Sequence, residues 1–127
     1  MRHEIFAKQI CPKELPALKR LQQEDRIELI EGDVELYPGL ELLNAGGHTP
    51  GSQMVALETA AGRAVLCGDI AYTLKNIRDH VPVGWYYNLA DTVVALERAL
   101  STAARPDLAF PNHDTEIMQG KRVARII

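Results

Sequence analysis

Two histidines and one aspartate each follow an apolar run, in a turn that contains glycine or proline: His48, Asp69 and His113. The apolar runs are predicted strands and cover residues 40–43, 64–67 and 108–110. Imidazole nitrogens and carboxylate oxygens are donors that zinc or iron accepts, and one carboxylate has two oxygens with which to bridge two ions. Because strands are rigid and the loops beyond them tolerate chemistry, these residues are candidates for one metal site.

Each of these residues also has an ordinary structural role. A histidine after a strand commonly closes a loop or is a satisfied core residue, and a Gly-Asp pair commonly forms a turn in which the aspartate accepts backbone N–H groups. Tyr72 is able either to donate a hydrogen bond to an oxyanion or leaving group, or to pack in the core. Asp114 is a candidate to orient the neighbouring His113. The residue types and their spacing leave these alternatives open.

Periodicity and turn residues predict the elements that position these side chains. Further strands are expected at residues 5–7, 26–30, 34–37, 53–58 and 123–127, and helices at residues 16–23 and 89–103, the second capped by Asn88. Residues 73–87 are predicted to be a long loop because Pro82 and Gly84 interrupt them. The aromatic residues 85–87 in that loop either cover the core or wall a pocket.

Composition predicts a single domain over residues 1–127, with 46% hydrophobic residues available for a core. The formal net charge of −3 argues against a nucleic-acid partner. No apolar run approaches the length of a membrane helix, and no signal-like segment opens the chain, so a cytoplasmic location is expected. Cys11 and Cys67 have no metal-binding spacing and are expected to be reduced, partly buried thiols.

Four short motifs resemble the metallo-β-lactamase superfamily, in particular its N-acyl homoserine lactonase-like branch. They are Ile30-Glu31-Gly32-Asp33, Gly47-His48-Thr49-Pro50-Gly51, Gly68-Asp69-Ile70-Ala71-Tyr72-Thr73 and Pro111-Asn112-His113-Asp114. Their order fits the carboxyl-terminal half of that family, and so do the separations of 21 residues from His48 to Asp69 and 44 residues from Asp69 to His113. The resemblance implies an α/β (α+β) fold, namely half of a metallo-β-lactamase-type αββα sandwich with a mixed β-sheet and flanking helices.

The resemblance also implies roles for individual residues. His48 would join a first zinc ion, Asp69 would bridge two zinc ions, and His113 would join the second. Asp69 and Tyr72 would be the catalytic residues, with Tyr72 assisting the opening of a lactone ring. The implied activity is metal-dependent hydrolysis of a small lactone or ester.

The sequence departs from the family because it contains no His-x-His-x-Asp-His motif. It is therefore expected to be a truncated form, inactive or weakly active as an isolated chain unless a partner supplies the missing ligands. Half a sandwich would expose one face of its sheet, so a homodimer or a complementary half-domain is the expected partner. Two alternatives remain: a non-enzymatic α/β binding or interaction module with relic ligand residues, and a single-ion site formed by His48, Asp69 and His113.

Overall fold

The computed structural model describes residues 14–118, and the chain divides into two compact units, residues 1–30 and 31–127. The first unit contains helix α1 (Leu15–Gln23), which confirms the helix expected at residues 16–23. Residues 26–30, expected to be a strand, have no regular structure, so that prediction is wrong. The strands expected at residues 5–7 and 123–127 lie outside the described residues, and the single domain expected over residues 1–127 stays a prediction.

The second unit is built on a five-stranded mixed sheet. Its strands are β1 (Val34–Tyr37), β2 (Leu40–Asn44), β3 (Gln53–Leu57), β4 (Ala64–Leu66) and β5 (Ala109–Phe110), in the order β1-β2-β3-β4-β5. The first four strands pair antiparallel with their neighbours, and β4 pairs parallel with β5. The predicted strands of this unit are confirmed to within one residue at either end.

The parallel pair requires a long crossover, and this crossover contains helices. They are α2 (Leu74–Asp79) and α3 (Leu89–Thr102), and a short helix α4 (Thr115–Met118) follows β5. The Asn88 side chain accepts a hydrogen bond from the Asp91 N–H, so the predicted cap of α3 is confirmed. Within residues 14–118, no helix combines the length and apolar composition that membrane crossing requires.

Helix α2 lies inside the segment that was expected to be a loop throughout. Thr73 and Asn76 form a capping box at its start, in which each side chain bonds the backbone of the other. The helix ends at His80, which adopts a left-handed conformation with φ 53°. The aromatic residues 85–87 are 44–54% exposed, so none of them belongs to the buried core.

The core lies on one face of the sheet. Its largest fully buried side chains include Met54 on β3 and Val65 on β4, and Leu96 and Ala99 of α3 belong to the same hydrophobic cluster. Cys67 is also buried in this cluster, as expected. The carboxyl ends of β2, β4 and β5 point to one edge of the sheet, because β2 and β4 are each antiparallel to β3 and β5 is parallel to β4.

Candidate metal centre

Three loops carry His48, Asp69 and His113 to that edge of the sheet. His48 follows β2 in a glycine-rich turn, Asp69 lies in a short 3-10 helix (Gly68–Ile70) after β4, and His113 follows β5. The loops after β4 and β5 are held together by backbone hydrogen bonds, one of which joins the His113 N–H to the Tyr72 carbonyl at 2.8 Å. The predicted convergence of the three strand ends is therefore present.

The Asp69 carboxylate lies between the two imidazoles and presents a different oxygen to each. Its Oδ1 lies 2.9 Å from His113 Nε2, within hydrogen-bond distance. Its Oδ2 lies 3.6 Å from His48 Nε2, which is too long for a hydrogen bond. The Asn112 side chain donates a second hydrogen bond to Oδ1 at 3.1 Å. The Asp69 carboxylate therefore lies between the imidazole rings of two different histidines, with one oxygen facing each ring.

The pKa of Asp69 reflects these neighbours. Burial raises the pKa of the carboxyl group. The hydrogen bonds from Asn112 and His113, together with the charges of His48 and His113, lower this pKa by more than burial raises it. The net result is a pKa below the ordinary value for aspartate, so the carboxylate is ionised at neutral pH and available as a ligand or hydrogen-bond acceptor.

The backbone of the aromatic segment fixes the orientation of His48. The Trp85 carbonyl lies 2.8 Å from His48 Nδ1, so this nitrogen carries the proton and Nε2 is left to face Asp69. The Gly47 carbonyl accepts hydrogen bonds from the N–H groups of Tyr87 and Asn88, at 2.9 and 3.0 Å. The segment therefore fixes the orientation of the His48 ring through main-chain contacts and turns Nε2 toward Asp69, which is how metal-binding histidines are commonly oriented.

Tyr72 packs edge-on against both histidines. Its ring centroid lies 6.0 Å from that of His48 and 5.0 Å from that of His113, with interplanar angles of 75° and 90°. Burial, and then the negative charge of Asp69, raise the pKa of the Tyr72 phenol, so it keeps its proton at neutral pH. A protonated phenol beside the site is a hydrogen-bond donor for an oxygen that acquires negative charge.

The donors fit zinc in type but not in number. Among residues 14–118, no group of three or more histidine, cysteine or acidic side chains has a geometry able to hold a metal ion. The geometry therefore does not support the single-ion alternative, since His48 and His113 face opposite oxygens of Asp69. With Asp69 shared, each of two ions would have one histidine and one carboxylate oxygen from this part of the chain.

The structure reassigns one residue and adds two groups that the sequence did not indicate. Asp114 accepts hydrogen bonds from the N–H groups of Leu74 and Glu116 rather than from His113, so it caps α2 and does not orient the histidine. Asn112 supports Asp69, and its position next to His113 was the only signal for it. The Trp85 carbonyl is a main-chain acceptor and has no signature in sequence.

Comparison with known proteins shows the family to which the chain is similar. The sequence profile of the metallo-beta-lactamase superfamily matches residues 4–113. N-acyl homoserine lactonases from Bacillus sp and Bacillus cereus are each 36% identical over 98 residues, which is 76% of this chain and 39% of the relative. The chain thus spans about two fifths of the length of these curated relatives.

Solved structures of such enzymes share the fold. An N-acyl homoserine lactone hydrolase with the product N-hexanoyl-L-homoserine bound at its catalytic metal centre has a TM-score of 0.63 and 32% identity, over 76% of this chain and 39% of that one. A dizinc quorum-quenching lactonase with 16% identity has a TM-score of 0.56 over 85% of this chain and 40% of that one, which indicates a shared fold alone. The expected α+β fold class is confirmed, and the chain belongs to the metallo-β-lactamase superfamily and is related to its N-acyl homoserine lactonases.

Proposed function

We propose that this chain provides the carboxyl-terminal part of a zinc-dependent centre for hydrolysis of a small lactone or ester. The observation that carries the proposal is the Asp69 carboxylate, whose two oxygens face two different imidazoles. Asp69 would bridge two zinc ions, while His48 and His113 would each ligate one. Zinc bound there would supply Lewis acidity toward a carbonyl oxygen and toward water.

The remaining groups of the site have roles that follow from their positions. Tyr72 would donate its phenolic proton in a hydrogen bond to the substrate oxygen that becomes negative or leaves. Asn112 would hold Oδ1 of Asp69 in place, and the Trp85 carbonyl would keep the proton of His48 on Nδ1. None of these groups replaces the metal ligands of the His-x-His-x-Asp-His motif, which the sequence lacks. The 127-residue chain is therefore expected to be inactive or weakly active alone.

Zinc binding tests the ligand assignment directly. The chain is freed of metal with a chelator and titrated with zinc by calorimetry. We expect weak binding that is abolished in His48→Ala and in Asp69→Ala. His80→Asn is the matched control, because His80 is exposed, lies at the end of α2, and asparagine tolerates its left-handed backbone. Equal zinc affinity in wild type, His48→Ala and His80→Asn would refute the assignment.

Hydrolysis of N-hexanoyl homoserine lactone, with and without added zinc, tests the chemistry. The expected result is little or no turnover by the chain alone. Turnover should appear only when a polypeptide carrying the His-x-His-x-Asp-His motif is added, and it should then fall when Tyr72 is replaced by phenylalanine. Full turnover by the chain alone would refute the claim that the centre is incomplete.

A second candidate function is a non-enzymatic binding or interaction module with relic ligand residues. It is favoured by the direct contact between His113 Nε2 and Asp69 Oδ1, since these side chains satisfy each other without a metal ion. Under this alternative, zinc would leave the melting temperature unchanged, whereas zinc bound to the folded state would raise it.

A further inference from the structure

A cleft lies between helices α2 and α3, next to the short 3-10 helix Pro106–Leu108 that follows α3. Its volume is about 710 Å³, which falls within the range of roughly 300–1,000 Å³ that is typical of small-molecule sites. None of His48, Asp69 and His113 lines it, so it is distinct from the candidate metal centre. We call it the helix cleft.

The base of the helix cleft is apolar and continuous with the core. Ile77 of α2 is 4% exposed and belongs to the hydrophobic cluster that also contains Met54 and Leu96. Leu100 of α3 packs against the same cluster, and Pro106 completes the apolar lining. The cleft therefore lies on the side of the sheet that the helices cover, and its base offers an apolar group of a ligand a surface on which to be buried.

Two opposite charges line the helix cleft, one on each helix. Arg78 lies on α2 and Glu97 on α3, and both residues are exposed. Neither makes a hydrogen bond or an ion pair with another residue within 14–118. Asp79 and Asp114 lie near Arg78, but the first pairs with Lys75 and the second caps α2. The cleft thus offers a ligand one cationic group and one anionic group.

We propose that the helix cleft binds a small zwitterion with an apolar body, of the kind that a short peptide with free ends provides. The ligand carboxylate would pair with Arg78 and the ligand ammonium group with Glu97, while its side chains would lie on the apolar base. His80 and Ser101 complete the lining with polar groups that are able to hydrogen-bond a peptide amide. The proposal does not rest on the proposed hydrolase function.

Other classes of small ligand match the helix cleft less well. A simple carboxylate would pair with Arg78 but would meet the like charge of Glu97, and a simple amine would meet the like charge of Arg78. A single amino acid carries both charges, but it would fill only a fraction of the 710 Å³. A peptide of two or three apolar residues matches both the charges and the volume.

Titration of the metal-free, isotope-labelled chain with L-leucyl-L-leucine, followed by NMR, tests the proposal. Saturable shifts should appear at the amide groups of Ile77, Leu100 and Ser101, with a dissociation constant of roughly 0.1–1 mM for a ligand of about 17 non-hydrogen atoms. Glycylglycine has the same charges without the apolar body and should bind at least about tenfold more weakly. Zinc is absent, so the result is independent of the proposed metal centre.

Two matched pairs of ligand and variant assign the two ends of the peptide. Leucyl-leucinamide lacks the carboxylate, so it should bind wild type about fivefold more weakly than the dipeptide does and should bind Arg78→Gln as it binds wild type. N-acetyl-leucyl-leucine lacks the ammonium group and should behave in the same way toward Glu97→Gln. Arg20→Gln is the charge-matched control, because Arg20 is an exposed residue of α1 that does not line the cleft, and it should leave binding unchanged.

The helix cleft is not a zwitterion site if the dipeptide causes no saturable shifts there at up to about 20 mM. A dissociation constant that Arg78→Gln and Glu97→Gln leave unchanged, or that Arg20→Gln changes equally, also overturns the proposal. The amide spectrum of each variant shows whether it is folded. If one is not, wild type with the dipeptide, its amide and its acetylated form decides, and equal affinity for all three overturns the proposal.

Discussion

The close approach of Gly47 to helix α3 means that one added methyl group should disturb the turn that carries His48. Gly47 has φ 74°, and a Cβ atom on it would lie 2.6 Å from Thr92 Cα and 2.7 Å from Thr92 N. These are backbone atoms in the first turn of α3, so no side-chain rotation relieves the clash. Gly47→Ala must therefore move either the His48 turn or the helix.

The cost of Gly47→Ala has two parts that a control separates. A left-handed backbone costs an alanine about 1–2 kcal/mol, and overpacking against a backbone costs about 1–3 kcal/mol more. The expected loss of unfolding free energy is therefore about 2–5 kcal/mol. Gly46→Ala carries the backbone strain alone, because Gly46 has φ 62° and nothing lies within 4 Å of its Cβ position. Its expected loss is about 1–2 kcal/mol.

Urea unfolding followed by circular dichroism measures both losses at constant m-value. Trp85 is the only tryptophan, and its carbonyl contacts His48, so its fluorescence reports on the same region. Gly47→Ala should lower the unfolding midpoint more than Gly46→Ala and should change the native emission spectrum, whereas Gly46→Ala should leave that spectrum unchanged. Equal midpoints and spectra for the two variants would refute the packing argument.

Three further outcomes are expected. A hydrogen bond from the Arg98 side chain, and to a smaller extent one from the Asn44 N–H, holds the pKa of the Asp33 carboxyl group below its ordinary value. The ionised carboxylate therefore stabilises the folded state above pH ~4, and this stabilisation is lost as the pH falls through the folded-state pKa. Asp33→Asn should thus cost up to about 1 kcal/mol at pH 7, since the pair is half exposed, and progressively less as the pH is lowered, as thermal melts over a pH series will show. Burial raises the pKa of Cys67 to about 12, so peptide mapping after alkylation at pH 8 should find this thiol unmodified until the protein unfolds; rapid native modification would contradict its burial. Asn112→Ala removes a hydrogen bond to the Asp69 carboxylate, so under the proposed function it should weaken zinc binding about tenfold in calorimetry, whereas unchanged affinity would deny Asn112 a supporting role.

Local sequence patterns were sufficient for most of the sheet. Alternating apolar residues and glycine or proline turns delimit the strands of the second unit, and the end of each run locates one candidate ligand. The same pattern failed at residues 26–30, which have no regular structure, because strand propensity depends on packing that the local sequence does not specify. Helix α2 was missed because Pro82 and Gly84 dominated the interpretation of the segment, although Thr73 and Asn76 have capping-box spacing.

The candidate site was predictable only as far as residue type reveals function. His48, Asp69 and His113 are recognisable because three metal-binding side chains each follow an apolar run, although each of them alone also has an ordinary structural role. The hydrogen bond between His48 and the Trp85 carbonyl was not predictable from the sequence. Every residue has a carbonyl group, and only the folded structure determines which one lies beside His48. The assignment of Asp114 failed because adjacent side chains diverge, and this carboxylate instead caps α2.

The parallel pairing of β5 has a consequence for the time course of folding. Strands β1 to β4 pair with their neighbours in sequence across connections of two to eight residues, whereas His113 reaches Asp69 across 44 residues. Long loops close more slowly and at a higher entropic cost than tight turns. The antiparallel strands should therefore assemble first, and the contact between His113 and Asp69 should form in a late step. The rate at which that contact forms measures closure of the crossover, and not formation of the sheet.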